Sequence, residues 1–388
     1  MELILHIGHE KTGTTSIQRS LILNKKILKE FGVEVPIEFG IGNSRAIPAM
    51  FSNNIDEFLE LQGFNSLNYE EKQKSLLFEL NEFLSKQVIK SKIIFSSEHF
   101  ASRLKTVDEL VKLKKCLDKH FVKITIIICI RNQAGMAESS YWERLKAGYA
   151  TEIPIIPNTE IMNSTQYNYE KLLTMWSSVF STEAIKIINY NDKVRNNESI
   201  VESFYRSVQT AFSIQIDMEK IKTVGVLNKS PGSKALNILR IINQCLIDEQ
   251  PDITTKPYLY NSAFRSTVIK LLSQIDFNGD RIEVNRRRWQ ITFSESNKRV
   301  ENLFQMDTKI FEEVENRSIP ILESKQISLD GRTFASLCHL LYLSVIAERD
   351  SVIAERDDIA NSTTWMLFEP YRRITVCLRT MNTVIKRR

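Results

Sequence analysis

The stretch MELILHIGHEKTGTTS, residues 1–16, joins an apolar run directly to a turn that two glycines bracket and that is rich in hydroxyl groups. The apolar run is typical of a buried parallel strand, and Gly8 and Gly13 permit a tight loop. Helical spacing then continues over residues 17–28. A strand, a loop and a helix in this order direct free backbone N–H groups and the positive end of the helix at one point. The stretch therefore predicts a binding site for phosphate or sulfate.

The two glycines have the spacing of the nucleotide-binding pattern G-x-x-x-x-G-K-[ST], whose lysine contacts the β and γ phosphates. In this chain Thr14 stands at the position of that lysine, and Lys11 lies in the middle of the loop instead. A kinase with this loop would lack the residue that holds its phosphates. A P-loop-like kinase that uses ATP and magnesium is thus the less favoured alternative.

Residues 11–15, KTGTT, closely resemble the 5'-phosphosulfate loop of the sulfotransferases that use 3'-phosphoadenosine 5'-phosphosulfate (PAPS). In that family the lysine neutralises the bridging oxygen as the sulfuryl group leaves, while hydroxyls and amides hold the 5'-phosphate. The resemblance implies a catalytic role for Lys11, and an ordinary helix start without a ligand is the alternative. The PAPS-binding residues that it implies in this loop are Lys11, Thr12, Gly13, Thr14, Thr15 and Ser16.

A second segment predicts a further phosphate contact. Residues 122–130 form a nearly continuous β-branched run, which predicts a central parallel strand, and Arg131 follows it directly. Ser139 comes two helical turns later, and an arginine and a serine at this spacing can hold one phosphate together. The sulfotransferases bind the 3'-phosphate of PAPS with such a pair. Taken alone, Arg131 is equally compatible with capping a helix or pairing with a surface acid.

Other segments resemble the same family, and in particular its bacterial carbohydrate-type members. The resembling segments are residues 139–141 and 146–148, the helix and strand predicted over 168–190, the loop with Asn228 and Lys229, and residues 294–300. In the family that loop folds over the nucleotide, which implies PAPS binding by Asn228 and Lys229. We therefore predict an α/β, P-loop-like three-layer fold, a central parallel sheet flanked by helices, over residues 1–320. A helical C-terminal appendage is predicted over residues 321–388.

Sulfuryl transfer to a hydroxyl or amine requires a general base close to the acceptor. A strand predicted over residues 92–97 leads to Glu98 and His99, and the carboxyl ends of parallel strands surround the crevice of an open α/β sheet. Neighbouring residues on an extended segment point in opposite directions, so that only one of the two can face the substrate. Glu98 is favoured because bacterial relatives have a similar Ser-Ser-Glu segment, and His99 is the alternative. A structural role, such as helix capping or pairing with Lys11, is open to either.

The remaining candidates are weaker. His9, inside the loop, is either a contact of the acceptor or a solvated histidine, and Arg45 is either a contact of an anionic acceptor or a solvated arginine. No metal is expected, because Lys11 can neutralise a phosphate leaving group and no histidine, cysteine or carboxylate cluster has metal-ligand spacing.

The composition favours a cytoplasmic enzyme. The five cysteines are widely spaced and odd in number, and Cys129 falls in a predicted core strand, which argues for reduced thiols. The first residues lead directly into the functional loop rather than forming a signal peptide, and no apolar stretch approaches the ~20 residues of a membrane span.

Two features mark the C-terminal appendage. The heptad SVIAERD occurs at residues 344–350 and again at 351–357, which predicts either a homo-oligomer through this helix or a seam packed on the domain. Residues 360–388 hold six lysines and arginines against one glutamate, a net charge that equals the +5 of the whole chain. Together with its aromatic residues, this tail suits peripheral contact with the inner face of an anionic membrane, and a solvated helix is the alternative.

The predicted function is metal-free transfer of a sulfuryl group from PAPS to a hydroxyl or amine, with 3'-phosphoadenosine 5'-phosphate (PAP) as the second product. The resemblance implies an acceptor on a carbohydrate or surface glycan, in polysaccharide biosynthesis. Besides the kinase, a catalytically silent nucleotide-binding scaffold of polysaccharide assembly is the other alternative. Nucleic acid is not an expected partner, because the basic residues are concentrated in the tail.

Overall fold

A computed structural model describes residues 1–55, 57–154, 156–222, 233–249, 268–269, 272 and 284–311. The chain divides into two compact units. The first consists of Met1–Met136, Ile156–Asn228 and Arg286–Asn316, and the second of Ala137–Ile155, Lys229–Asn285 and Arg317–Arg388. The predicted domain boundary near residue 320, the heptad repeat and the basic tail lie outside the described residues.

A five-stranded parallel sheet forms the centre of the first unit. Its order is β2-β3-β1-β4-β5, so that β1 pairs with β3 on one side and with β4 on the other. The strands are β1 (Glu2–Gly8), β2 (Val33–Glu34), β3 (Lys92–Ser96), β4 (Lys123–Ile130) and β5 (Ile185–Asn189). The strands predicted over residues 92–97 and 122–130 are observed within one residue of those bounds, because a strand buried on both faces is apolar throughout.

Helices connect the strands. They are α1 (Thr14–Leu23), α2 (Lys25–Glu30), α3 (Ala46–Phe51), α4 (Glu57–Leu61), α5 (Tyr69–Ser85), α6 (His99–Arg103), α7 (Val107–Leu117), α8 (Gln133–Lys146), α9 (Thr159–Asn163), α10 (Tyr169–Phe180), α11 (Tyr190–Arg195), α12 (Ile200–Phe212), α13 (Ser233–Glu249) and α14 (Arg286–Leu303). The helical spacing predicted without a break over residues 17–28 is wrong at Asn24, where α1 ends. The Asn24 side chain there accepts from Lys222 N at 2.9 Å and donates to Lys222 O at 2.9 Å.

Alternate residues of β1 pack on opposite faces of the sheet. Leu3, Leu5 and Ile7 pack in one core with side chains from α3, α5, α7 and α10. Ile4 packs in a second core with side chains from α1, α2 and α12. The result is the predicted three-layer α/β fold, which is confirmed.

The second unit has its own apolar core, in which Tyr141, Trp142 and Leu145 of α8 pack with Leu239 of α13. Asn243 of α13 donates to the main-chain oxygens of Leu145 at 2.8 Å and Tyr149 at 2.9 Å. These bonds fix α13 against the end of α8.

The two cysteines in the described sheet and helices of the first unit, Cys116 and Cys129, are buried and free. Burial raises the pKa of the Cys129 thiol to about 12, which keeps it protonated and unreactive. Among the described helices, none combines the length and the apolar character needed to cross a bilayer.

Candidate anion-binding site

The loop predicted from the first sixteen residues lies at the carboxyl end of the central strand, between β1 and α1. Gly8, Lys11 and Gly13 all have positive φ, at 88°, 61° and 87°. A Cβ atom on Gly8 would lie 2.7 Å from the Cα atom of Glu98. Glycine at position 8 therefore allows the loop to pack directly against the residue that follows β3.

The amino end of α1 is arranged to receive an anion. Gly13 is its N-cap, and among the described residues no side chain caps this end. Ser16 N donates to Gly13 O at 3.0 Å, so the amides of Thr14 and Thr15 come before the first bond of the helix. The first turn holds no acidic residue, and Lys11 adds a positive charge to the same loop. Negative charge is stabilised at such a helix end.

The hydroxyl groups of the loop differ in their surroundings. Thr12 is fully buried, and its hydroxyl donates to His9 O at 2.5 Å, a hydrogen bond within the loop itself. Thr14 is buried, Ser16 is half-buried and Thr15 is exposed. The structure thus gives Thr12 a bond within the loop, and its predicted contact with PAPS stays a prediction.

Arg131 connects the end of β4 with this loop. Its Nη1 donates to Lys11 O at 3.3 Å, and its guanidinium lies 5.1 Å from the centre of the Tyr190 ring. Its Nε is buried and has no hydrogen-bond partner among the described residues. A Cβ atom on residue 135 would lie 2.8 Å from that Nε, so Gly135 makes room for the guanidinium. The structure therefore brings together the two predicted cationic residues, Lys11 and Arg131.

The other predicted nucleotide contacts are not joined to this arrangement. Ser139 is half-buried on α8, in the part of that helix that belongs to the second unit, so its pairing with Arg131 stays a prediction. Asn228 and Lys229 lie outside the described residues.

Glu98 lies beside the loop at the end of β3. Its Oε2 accepts from Gln18 Nε2 at 2.7 Å, and Asn43 Nδ2 lies 3.2 Å from both carboxylate oxygens. The expectation of an extended segment here is wrong: Glu98 has φ −64° and ψ −18° and is the N-cap of α6, because helical geometry begins immediately after β3. Although Glu98 stands at the N-cap position, its side chain makes no capping hydrogen bond to the helix. Among the described contacts, the helix-capping role considered for Glu98 is therefore not observed.

His99 begins α6 and packs against an aromatic ring. Its imidazole lies 4.2 Å from the Phe58 ring at an interplanar angle of 31°. Its Nδ1 is buried without a partner among the described residues. Burial lowers the pKa of His99, and the nearby carboxylate of Glu98 opposes that effect. The imidazole is therefore mainly neutral at pH 7, with one face against Phe58.

His9 is buried rather than solvated, which contradicts the solvated alternative. Its exposed fraction is 2%, its main-chain N–H donates to Cys129 O at 3.0 Å, and its ring lies edge-on to Tyr169 at 5.7 Å. The Tyr169 hydroxyl in turn donates to Arg131 O at 2.5 Å. His9 and Tyr169 thus support the loop and the end of β4, a role that no local sequence signal indicates. Arg45, at the start of α3, is exposed.

A buried histidine that the sequence reasoning missed lies in β1. His6 is fully buried, with Nδ1 2.7 Å from Ser96 Oγ of β3 and its ring 5.0 Å from the Phe204 ring. Burial lowers its pKa to about 4. A lone histidine within an apolar strand is the only signal that would have indicated it.

This histidine predicts a loss of stability in mild acid. Because its pKa is near 6.5 when unfolded and about 4 when folded, the unfolded chain binds the proton first. Stability from this group is complete above pH 6.5, falls by about 1.4 kcal/mol per pH unit down to pH 4, and is constant below. Urea unfolding between pH 7 and pH 5 measures it. We expect a clearly smaller slope in His6→Gln. The control His120→Gln should reduce the slope less, because His120 is only half-buried although burial lowers its pKa as well. Equal slopes in all three proteins would refute the assignment.

Within the described ranges, no group of three or more histidine, cysteine, aspartate or glutamate side chains is placed to hold a metal ion. Comparison with known proteins gave no matching family model and no match among curated proteins. Among solved structures, a sulfotransferase from Alicyclobacillus acidocaldarius shares 13% sequence identity, with 74% of this chain and 99% of that chain covered and a TM-score of 0.39. This likeness is distant, and the fold and the site described above rest on the residues of this chain.

Proposed function

We propose that this protein transfers a sulfuryl group from PAPS to an acceptor hydroxyl or amine. The observation that carries the proposal is the convergence of Arg131 with the Lys11 loop. The guanidinium donates to Lys11 O, while its buried Nε has no partner among the described residues. A buried donor without an acceptor costs about 1–3 kcal/mol, so a bound phosphate oxygen would relieve an existing penalty.

The charges of the site fit a ligand with more than one anionic group. Lys11 and the uncapped amides of α1 form one positive region, and Arg131, at the end of the neighbouring strand β4, provides a second. PAPS carries a phosphosulfate on the 5' carbon and a phosphate on the 3' carbon of one ribose. We assign the 5' group to the loop and the 3' group to Arg131, with Ser139 as its predicted partner.

The chemistry requires charge stabilisation and one proton transfer. The sulfur forms a bond to the acceptor oxygen or nitrogen as its bond to the 5'-phosphate oxygen breaks. Lys11 and the α1 amides stabilise the charge that develops on the departing phosphate. Glu98, beside the loop, takes the acceptor's proton, and His99 is the alternative base. Positioning and electrostatics thus supply the catalysis, as they do in phosphoryl transfer.

The kinase alternative has less support. Thr14, at the position where nucleotide-binding loops have their lysine, is buried in the first turn of α1. A catalytically silent scaffold would need no general base. The position of Glu98 beside the loop therefore favours an enzyme over a scaffold. The carbohydrate acceptor, the cytoplasmic location, the membrane contact of the tail and the homo-oligomer rest on sequence alone.

Calorimetric titration with nucleotides tests the proposal. We expect PAP to bind more tightly than 5'-AMP, because only PAP has the 3'-phosphate, and more tightly than ATP with magnesium. Chelation of divalent ions should leave PAP binding unchanged. Preference for ATP with magnesium would point to the kinase instead, and absence of binding by all three nucleotides would overturn the donor site.

A further inference from the structure

We propose that Gln18 and Asn43 are positioning residues that hold the Glu98 carboxylate so that its Oε1 atom receives the proton of the sulfuryl acceptor. This inference rests on the proposed function, in which Glu98 is the general base.

The hydrogen bonds of Glu98 distinguish its two oxygens. Oε2 accepts from Gln18 Nε2 at 2.7 Å and also from Asn43 Nδ2 at 3.2 Å. Oε1 accepts only from Asn43 Nδ2, at 3.2 Å. A carboxylate offers about four lone-pair sites, two on each oxygen. Both sites of Oε2 are therefore engaged, and among the described contacts one site of Oε1 is left for a proton.

The two donors are amides, which orient a carboxylate without neutralising it. A lysine or arginine in their place would form an ion pair and hold the carboxylate in its charged form more strongly. Gln18 and Asn43 are each only 7% exposed, so water has little access to compete for the hydrogen bonds of their amides. They fix the carboxylate while its negative charge remains available for the acceptor's proton.

Both amides are attached to regular elements of the fold. Gln18 lies one turn after Thr14 on α1, so the helix whose amino end faces the anion site also sets the position of Glu98. Asn43 precedes Ser44, whose N–H donates to Ser96 O at 2.8 Å and whose hydroxyl accepts from Ser96 N at 3.3 Å. These bonds fasten the loop of Asn43 to β3. Donor binding and base position are thus set by the same elements.

Glu98 fits the role of base better than His99 on these contacts. The imidazole has one face against Phe58, and its Nδ1 has no hydrogen-bond partner among the described residues. The carboxylate instead has three directed bonds from two separate segments. Such directed support is what a catalytic group needs to stay within reach of a proton.

The test compares PAPS turnover with PAP binding in the full-length protein. The variants are Glu98→Gln, Gln18→Met and Asn43→Leu, which keep approximate shape but remove the base or one amide donor. Gln73→Met is the matched control, because Gln73 donates to Ser52 O at 3.0 Å on α5 and takes no part in the site. PAP release from PAPS is measured with water, sugars and amino sugars as acceptors, and PAP binding is measured by calorimetry.

We expect Glu98→Gln to lower kcat by about 10²- to 10⁴-fold and the two amide variants to lower it by about 10- to 100-fold. The KM for PAPS and the Kd of PAP should stay within about twofold of the wild-type values, since none of these changes removes a contact with PAPS. Adding Asn43→Leu to Glu98→Gln should cause no further loss, because both act through one group.

Three results would overturn the inference. The first is a loss of kcat in Asn43→Leu that multiplies with the loss in Glu98→Gln. The second is a change in the KM for PAPS, with kcat unaltered, in Gln18→Met or Asn43→Leu. The third is a wild type that binds PAP but releases none from PAPS above the uncatalysed rate. Each of these leaves the donor site standing. Failure of the wild type to bind PAP would instead refute the proposed function itself. Thermal unfolding identifies any variant that fails to fold, in which case Gln18→Asn and Asn43→Ser replace the more drastic changes.

Discussion

Replacing Lys11 by alanine is expected to lower the rate of sulfuryl transfer by about 10²- to 10³-fold, the usual cost of removing a group that stabilises charge in the transition state. The lysine is in the middle of the loop between β1 and α1, where negative charge would develop on the departing phosphate. Its main chain, rather than its side chain, accepts the bond from Arg131. Because alanine keeps that carbonyl, the loop should retain its contact with β4.

The structural effect of this change is expected to be small. Lys11 already has φ 61° with a non-glycine side chain, so an alanine there meets the same backbone restriction. PAP affinity should consequently fall much less than turnover, since the lysine acts mainly as the sulfur–oxygen bond breaks. The control Lys112→Ala removes an exposed lysine that pairs with Asp108 at 2.8 Å on α7 and should change neither quantity. Equal turnover in Lys11→Ala and wild type would contradict the assigned role.

Replacing Gly8 by alanine is expected to lower the free energy of unfolding by about 2–4 kcal/mol. Part of this loss comes from φ 88°, which costs a residue with a Cβ about 1–2 kcal/mol. The remainder is steric, because the new Cβ would lie 2.7 Å from Glu98 Cα and 2.8 Å from Glu98 Cβ. Backbone atoms cannot move aside as a flexible side chain can, so β1 and β3 would have to separate.

Gly32→Ala is the matched control for this change. Gly32 also has positive φ, at 71°, but a Cβ there would meet nothing within 4 Å. It should therefore show only the backbone penalty of about 1–2 kcal/mol. Urea unfolding of the two variants isolates the contact between the loop and Glu98 as the difference between them. Equal losses would mean that the loop does not pack against Glu98 as closely as described.

The sheet was predictable because its strands are buried on both faces. The apolar runs that became β1, β3 and β4 can be recognised without knowing their partners. The glycines that bracket the loop both have positive φ, which suits the tight loop predicted for them. Arg131 was also placed correctly at the end of β4, since that strand ends at Ile130.

The environment of Glu98 could not be predicted from the sequence, and the reason is physical. Its partners Gln18 and Asn43 are 80 and 55 residues away, and no local pattern relates an amide on α1 to a carboxylate after β3. The break of α1 at Asn24 has the same cause, because the amide that ends the helix bonds a main chain 198 residues away. His6 and His9 were hidden in another way: their burial depends on Phe204 and Tyr169, which only the folded chain brings to them.

Calorimetric binding of PAP and 5'-AMP to wild type, Arg131→Ala and Arg206→Ala tests whether the proposed donor site exists. Arg206 is an exposed arginine on α12 that pairs with Glu198 at 3.4 Å, and it serves as the control. If Arg131 holds the 3'-phosphate, Arg131→Ala will weaken PAP binding by about 10- to 100-fold, the value of a hydrogen-bonded charged contact. It will weaken 5'-AMP binding much less, since only the bond to Lys11 O is lost there. Arg206→Ala will match the wild type. Equal affinity for PAP and 5'-AMP, with no effect of Arg131→Ala, would contradict the proposed donor site.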